Sequence, residues 1–233
     1  MPDDAELRDL DPYDLMDEEA ARLDAYFVSL GEDDWAATSA CDGWDVHDVL
    51  AHLAGSETYN HACLDDAIGA LFEEVGPKGV TDVESFNAFG VSERSDTSPA
   101  DLLEEWRASC GRTRRDLRSR RGGEISTMVG SYPADWQAWH LASELATHAD
   151  DIGVPVDPAD VARRTDWRAR FSRFALAESK PDLPVTAGEG GTTVTVGDSV
   201  VVLDDESLIA AVSARTTPVA YDEEILSGLR ALA

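Results

Sequence analysis

Gly43-Trp44-Asp45-Val46-His47-Asp48-Val49-Leu50-Ala51-His52-Leu53-Ala54-Gly55-Ser56-Glu57 (GWDVHDVLAHLAGSE) is the stretch on which the fold turns. Val46, Leu50, Leu53 and, further on, Leu64 recur at helical spacing, which predicts a helix with one face against a core. A neighbouring stripe carries Asp45, Val49, His52, Ser56, Tyr59 and Cys63. It is too polar for a buried seam and too patterned for a free surface, so it suits a pocket wall between helices. Asp42 reads as the N-cap, with Asp45 as its capping-box partner. The apolar pattern continues, predicting one long helix over residues 44–74.

Outward from this helix the same periodicity repeats. Leu7, Leu10, Leu15, Leu23, Tyr26, Phe27 and Leu30 predict a helix over 6–30, with Pro12 breaking or delaying its start and Gly31 ending it. Ser98-Pro99-Ala100-Asp101 supplies a cap, a proline at the first helical position and an acid two residues on, which opens a helix to about residue 120. A fourth helix is expected over 134–152, closed by Gly153 and Pro155. Residues 76–102 read as loop-like, with a helical turn at 83–89. Four long helices predict an antiparallel four-helix bundle over residues 1–155.

After Asp157-Pro158, which starts another helix to about residue 179, the texture changes. LPVTA, GTTVTVG and SVVVLD are strand-like and punctuated by glycine, with Gly197-Asp198 as a hairpin turn. Helices are expected near 206–214 and 222–231. The fold class is thus mainly α, with a small α+β domain over 156–233.

Composition bounds the function. The 233 residues hold 47 Asp plus Glu against 19 Lys plus Arg, a formal charge of −28, and 43% are hydrophobic. Such a surface repels nucleic acid and anionic membranes, so neither is expected as a partner. No apolar run approaches the roughly 20 residues of a membrane span, and the acidic N-terminus lacks a signal-peptide pattern. Cys41, Cys63 and Cys110 are odd in number with no CxxC, which argues against a disulfide framework and for a reducing cytoplasm. The arginines of 112–121 read as a solvated helix face offsetting nearby acids.

The chemistry-bearing residues lie on two of the helices. In Glu144-Leu145-Ala146-Thr147-His148-Ala149-Asp150-Asp151, a carboxylate and an imidazole four residues apart share a helix face and lie about 6 Å apart along the axis. With His52 they make a two-histidine, one-carboxylate set, which holds a catalytic divalent ion with a position open to water or substrate. Zinc is the expected ion; iron and manganese accept the same donors. His140, about 80° from His148 around the helix, is read as lying outside the donor set. His47 reads as exposed and His61 as too far along. Asp151 is expected to accept a hydrogen bond from the ring nitrogen of His148 that does not face the metal.

Gly43–Glu57 and Glu144–Pro155 (ELATHADDIGVP) together resemble the two motifs of the mycothiol-dependent maleylpyruvate isomerase-like proteins, within the DinB-like four-helix bundle superfamily. The resemblance spans about two-thirds of the chain. It implies metal ligands at His52, Glu144 and His148, and the bundle plus C-terminal α+β domain. Members often end in an apolar strand, a short helix and Gly-Arg; here VVVLDDESLIAAVSAR ends in Ala214-Arg215. Arg215 is the candidate catalytic residue, a guanidinium fork for a substrate carboxylate. Ser56 and Tyr59 are the candidates for contact with a low-molecular-weight thiol such as mycothiol. The implied partners are that thiol and a small anionic substrate. The implied activity is cis–trans isomerisation, or a related S-transfer. A double bond does not rotate, but thiolate addition leaves a single bond that does, and elimination then releases the trans product. A non-catalytic bundle that binds a metal or ligand as a regulator is the competing expectation.

Overall fold

The computed structural model describes residues 2–232. The chain separates into two compact units, Pro12–Val154 and Met1–Asp11 together with Pro155–Ala233. Residues 2–11, expected at the start of the bundle, cluster instead with the C-terminal unit.

Six helices and one hairpin build the first unit: α1 (Pro12–Ser29), α2 (Val46–Leu64), α3 (Ile68–Val75), α4 (Val83–Ser92), α5 (Pro99–Ser119), β1 (Glu124–Thr127), β2 (Gly130–Pro133) and α6 (Ala134–Asp151). Helices α1, α2, α5 and α6 form the bundle. Tyr13, Leu23, Phe27, Leu50, Trp106 and Leu117 are fully buried in it. Each such apolar side chain contributes about 1.5–3 kcal/mol of burial. Pro12 is the first residue of α1, where its missing N–H costs nothing.

Two expectations are corrected here. The single helix over 44–74 is two helices, because Asp66 adopts a left-handed φ of 55° between them. Aspartate tolerates that region better than most residues. Tertiary partners take up the exposed ends: Arg120 donates to the Leu64 carbonyl at 2.6 Å, Arg112 pairs with Asp65 at 2.6 Å, and Ser126 donates to Asp66 at 2.5 Å. The cap of α2 is Asp45 with Asp48, not Asp42 with Asp45. The chain turns at Asp42-Gly43 and a Thr38–Asp45 bridge then holds Asp45 extended, so the helix begins one box later.

Helices α3 and α4 cover the outer side of α2 with a second apolar cluster of Ala62, Leu71, Val75 and Val80. Gly55 of α2 and Gly90 of α4 allow the close crossing: a Cβ on Gly55 would lie 3.1 Å from the Gly90 Cα. The arginine-rich face of α5 is paired with α1: Arg114 with Asp17 at 2.5 Å, Arg118 with Asp17 at 2.7 Å and with Asp14 at 2.9 Å, and Arg107 with Asp24. Tyr13 donates to Asp135 at 2.6 Å, tying α1 to α6.

In the second unit, α7 (Val161–Ser179) precedes the antiparallel sheet β3–β4–β5 (Val185–Gly188, Gly191–Val196, Ser199–Leu203), then α8 (Asp205–Val212) and α9 (Glu223–Leu229). Helix α7 starts at Val161 rather than at 157–158, because residues 158–160 form a turn. Val196 pairs with Ser199 across the Gly197-Asp198 turn, and Gly197 supplies the positive φ of 57°. Val194, Leu203, Leu208, Val212, Phe171 and Leu176 are buried. Arg170–Asp9 at 3.0 Å and Arg173–Glu6 at 2.5 Å bind the N-terminal segment to α7. Among the described residues, no helix is long and apolar enough to cross a membrane.

Candidate metal centre

Helix α2 presents His52 and helix α6 presents Glu144 and His148. One donor atom from each lies within 4.8 Å of the others. His52 Nε2 is 3.3 Å from Glu144 Oε1, and the two imidazole centroids are 4.7 Å apart, edge to face. The four-residue spacing on α6 aligns its two donors, and the α2 stripe aims His52 at them. His52 and His148 are buried, whereas the Glu144 side chain is 37% exposed. The Trp44 ring lies tilted against His52, centroids 5.1 Å apart.

The protonation states suit a cation. Desolvation of the partly covered Glu144 carboxyl pushes it up, but the hydrogen bond from His52 and the fields of His52, His148 and His140 outweigh it and hold it at about 2. Burial pushes His148 down, toward the neutral imidazole a metal requires, against the opposing hydrogen bond to Asp151. Asp151 Oδ2 lies 3.0 Å from His148 Nδ1, the arrangement expected for it, and this leaves Nε2 as the ligating nitrogen. The residues therefore fit a divalent ion by donor type, orientation and charge. His52 Nδ1 is buried with no hydrogen-bond partner.

The remaining candidates are spread more widely. Ser56 lines a small recess together with Glu57, Asn60, Thr113 and Glu144. Tyr59 packs on Phe86 in the outer cluster, and its hydroxyl accepts from the Met128 backbone N–H at 3.3 Å. Desolvation there pushes its phenol up to about 12. Arg215 belongs to the C-terminal unit and donates to the Ser213 carbonyl at 2.9 Å. His140 stands outside the converged set, with Nε2 3.1 Å from the Tyr132 hydroxyl. His47 and His61 face the carbonyls of Thr97 and Ser109, at 2.9 and 3.1 Å.

Two participants carried no spacing signal. Glu57 is a buried acid in the recess, accepting from Asn60 at 3.2 Å and from Thr113, and desolvation raises its pKa. Cys41 reaches Asp151 from the loop before α2, which the Thr38–Asp45 bridge holds in place. A loop residue has no periodicity to betray it.

Comparison with known proteins places this geometry in a family. Two uncharacterised proteins, from two strains of Mycobacterium tuberculosis, are each 28% identical over 152 residues, which take in 65% of this chain and 58% of those proteins. The match thus spans less than two thirds of the length of these relatives. A crystal structure of the mycothiol-dependent maleylpyruvate isomerase superposes with a TM-score of 0.63 at 15% identity, covering 91% of this chain and 92% of that one. A mutant form of the same enzyme gives 0.58 at 17% identity, covering 88% and 89%. These likenesses show the fold. Residues 16–153, more than half of the sequence and including both motif segments up to Gly153, match the mycothiol maleylpyruvate isomerase N-terminal domain. The chain belongs to that family.

Proposed function

We propose that this protein is a metal- and thiol-dependent enzyme, a cis–trans isomerase or thiol S-transferase, acting in the reducing cytoplasm on a small anionic substrate. The observation that carries the reading is the convergence of His52, Glu144 and His148 from two helices, with Glu144 held ionised and burial favouring the neutral form of His148. A zinc-class ion, when bound, supplies an electrophilic centre that lowers the pKa of a coordinated thiol.

The chain's own residues do the rest. His52 and His148 would offer ring nitrogens to the ion, and Asp151 fixes the tautomer of His148 by accepting a hydrogen bond from its Nδ1. Glu144 contributes one negative charge, which leaves a divalent centre at net +1 and favours an anionic sulfur over a neutral thiol. Trp44 packs on His52 and restricts both its rotation and the approach of water. Ser56, beside Glu144 in the recess, offers a hydroxyl to the thiol cosubstrate. Tyr59, one turn further along α2, packs on Phe86 outside that lining. For a substrate carboxylate we propose the Arg215 guanidinium on its chemistry alone, as a fork of paired donors.

The test is turnover of a cis-enone dicarboxylate such as maleylpyruvate, with thiol and metal each present or withheld. The reading requires activity only when both are present. Equal turnover of fully metallated protein without thiol refutes thiol catalysis. Tight metal binding with neither thiol binding nor turnover of any enone favours the regulatory bundle.

A further inference from the structure

Cys41, His148 and Asp151 form a second cluster of donors, with one atom from each within 4.8 Å of the others. Cys41 Sγ is 3.1 Å from Asp151 Oδ2 and 3.9 Å from His148 Nδ1, and His148 Nδ1 is 3.0 Å from Asp151 Oδ2. Donors at usual zinc distances on a tetrahedron stand about 3.3–3.6 Å from one another. The observed separations straddle that range, so small side-chain rotations suffice.

The alternative chemistry for these residue types is a nucleophile–base relay. In such a relay the thiol and the orienting acid hold opposite nitrogens of the imidazole. Here both face Nδ1, which makes the trio a set of convergent donors. The loop is also built to hold its place. Ser39 Oγ donates to the Trp44 carbonyl at 2.8 Å and accepts from the Cys41 N–H at 3.1 Å, while the Ala40 N–H donates to the Asp151 carbonyl at 2.8 Å. Asp151 and His148 are buried, and Cys41 is the one cysteine of the three with solvent access.

We infer that Cys41, His148 and Asp151 constitute a second cation site, selective for thiophilic divalent ions such as Zn²⁺ or Cd²⁺. The inference stands whether or not His52, Glu144 and His148 bind a metal. On ion entry the Cys41 thiol proton leaves to solvent and the single imidazole proton moves from Nδ1 to Nε2. A neutral His148 therefore serves one site at a time, and a thiophilic ion here withdraws it from His52 and Glu144.

The test uses the His52→Ala chain, in which the other donor set is broken, titrated with Co²⁺ or Cd²⁺. The expected result is a thiolate-to-metal charge-transfer band that saturates at one equivalent and vanishes when Cys41→Ser is added. Alkylation of Cys41 should slow at least about tenfold with the ion bound, since the reactive thiolate is then coordinated. No band, together with an unchanged alkylation rate, overturns the proposal. So does a band that survives Cys41→Ser and therefore comes from Cys63 or Cys110. Should His52→Ala fail to fold, the same band and its loss in Cys41→Ser are read in the otherwise unaltered chain.

Discussion

Gly55→Ala isolates the contact on which the α2–α4 crossing depends. At an open helical position the change stabilises by about 1 kcal/mol, because alanine is the better helix former. Here the new Cβ would lie 3.1 Å from the Gly90 Cα and 3.4 Å from the Gly90 carbonyl carbon and Arg94 Nη1. Carbon atoms rest about 3.5–4.0 Å apart, so two backbones must separate by roughly half an ångström. Overpacking of that kind costs about 1–3 kcal/mol. The net expectation is a destabilisation of about 0–2 kcal/mol for Gly55→Ala, and more for Gly55→Leu. Gly90→Ala, whose nearest contact is 3.4 Å from the Gly55 Cα, should be milder. Urea unfolding of the three variants, followed by helical circular dichroism, gives the ranking. A stabilisation of about 1 kcal/mol by Gly55→Ala would refute the reasoning, since only an open helical position behaves so.

Three further outcomes follow from particular residues. Asp151→Asn removes the charge that holds His148 Nδ1, so metal affinity of the His52–Glu144–His148 set should fall about 10–100-fold; chelator competition in a Cys41→Ser background measures it, and an affinity within about twofold of the parent contradicts it. Ala214 adopts φ 55° after α8 while the Arg215 N–H closes onto the Ala210 carbonyl at 2.8 Å, so Ala214→Gly should stabilise the C-terminal unit by about 1 kcal/mol. A loss of stability in urea would count against that strain. Glu57 keeps its proton more strongly folded than unfolded, because desolvation outweighs the bonds from Thr113 and Asn60. Its contribution is full below its ordinary value of 4.5 and is lost as pH rises through the raised folded value, so Glu57→Gln should flatten the stability–pH curve there, and an unchanged slope disproves this.

Much of the bundle was legible because its helices carry local signals. Ser98-Pro99 starts α5 as read, and the α6 expectation differs from the structure by one residue at its end. The Gly197-Asp198 hairpin was equally local. What could not be read was set by distant partners. Nothing near Asp66 marks a break; Arg112, Arg120 and Ser126 reward it from later elements. Aspartates at 42, 45 and 48 permit a capping box in two registers, and the Thr38 bridge chooses between them. The convergence of His52 on Glu144 and His148 was visible because both faces are periodic. Cys41 and Glu57 were not, since their roles arise from a loop path and a helix crossing. The docking of residues 2–11 with the C-terminal unit likewise rests on the Arg170 and Arg173 ion pairs.

The central claim is tested most directly by metal content. The purified chain and its His52→Ala/His148→Ala double variant are loaded with Zn²⁺, dialysed and analysed by plasma mass spectrometry, with circular dichroism to show that both are folded. The account predicts stoichiometric zinc in the parent and loss of most of it in the double variant. This variant removes His148 from both donor sets, so the Cys41 cluster cannot substitute. Full zinc occupancy in a folded double variant would contradict the account.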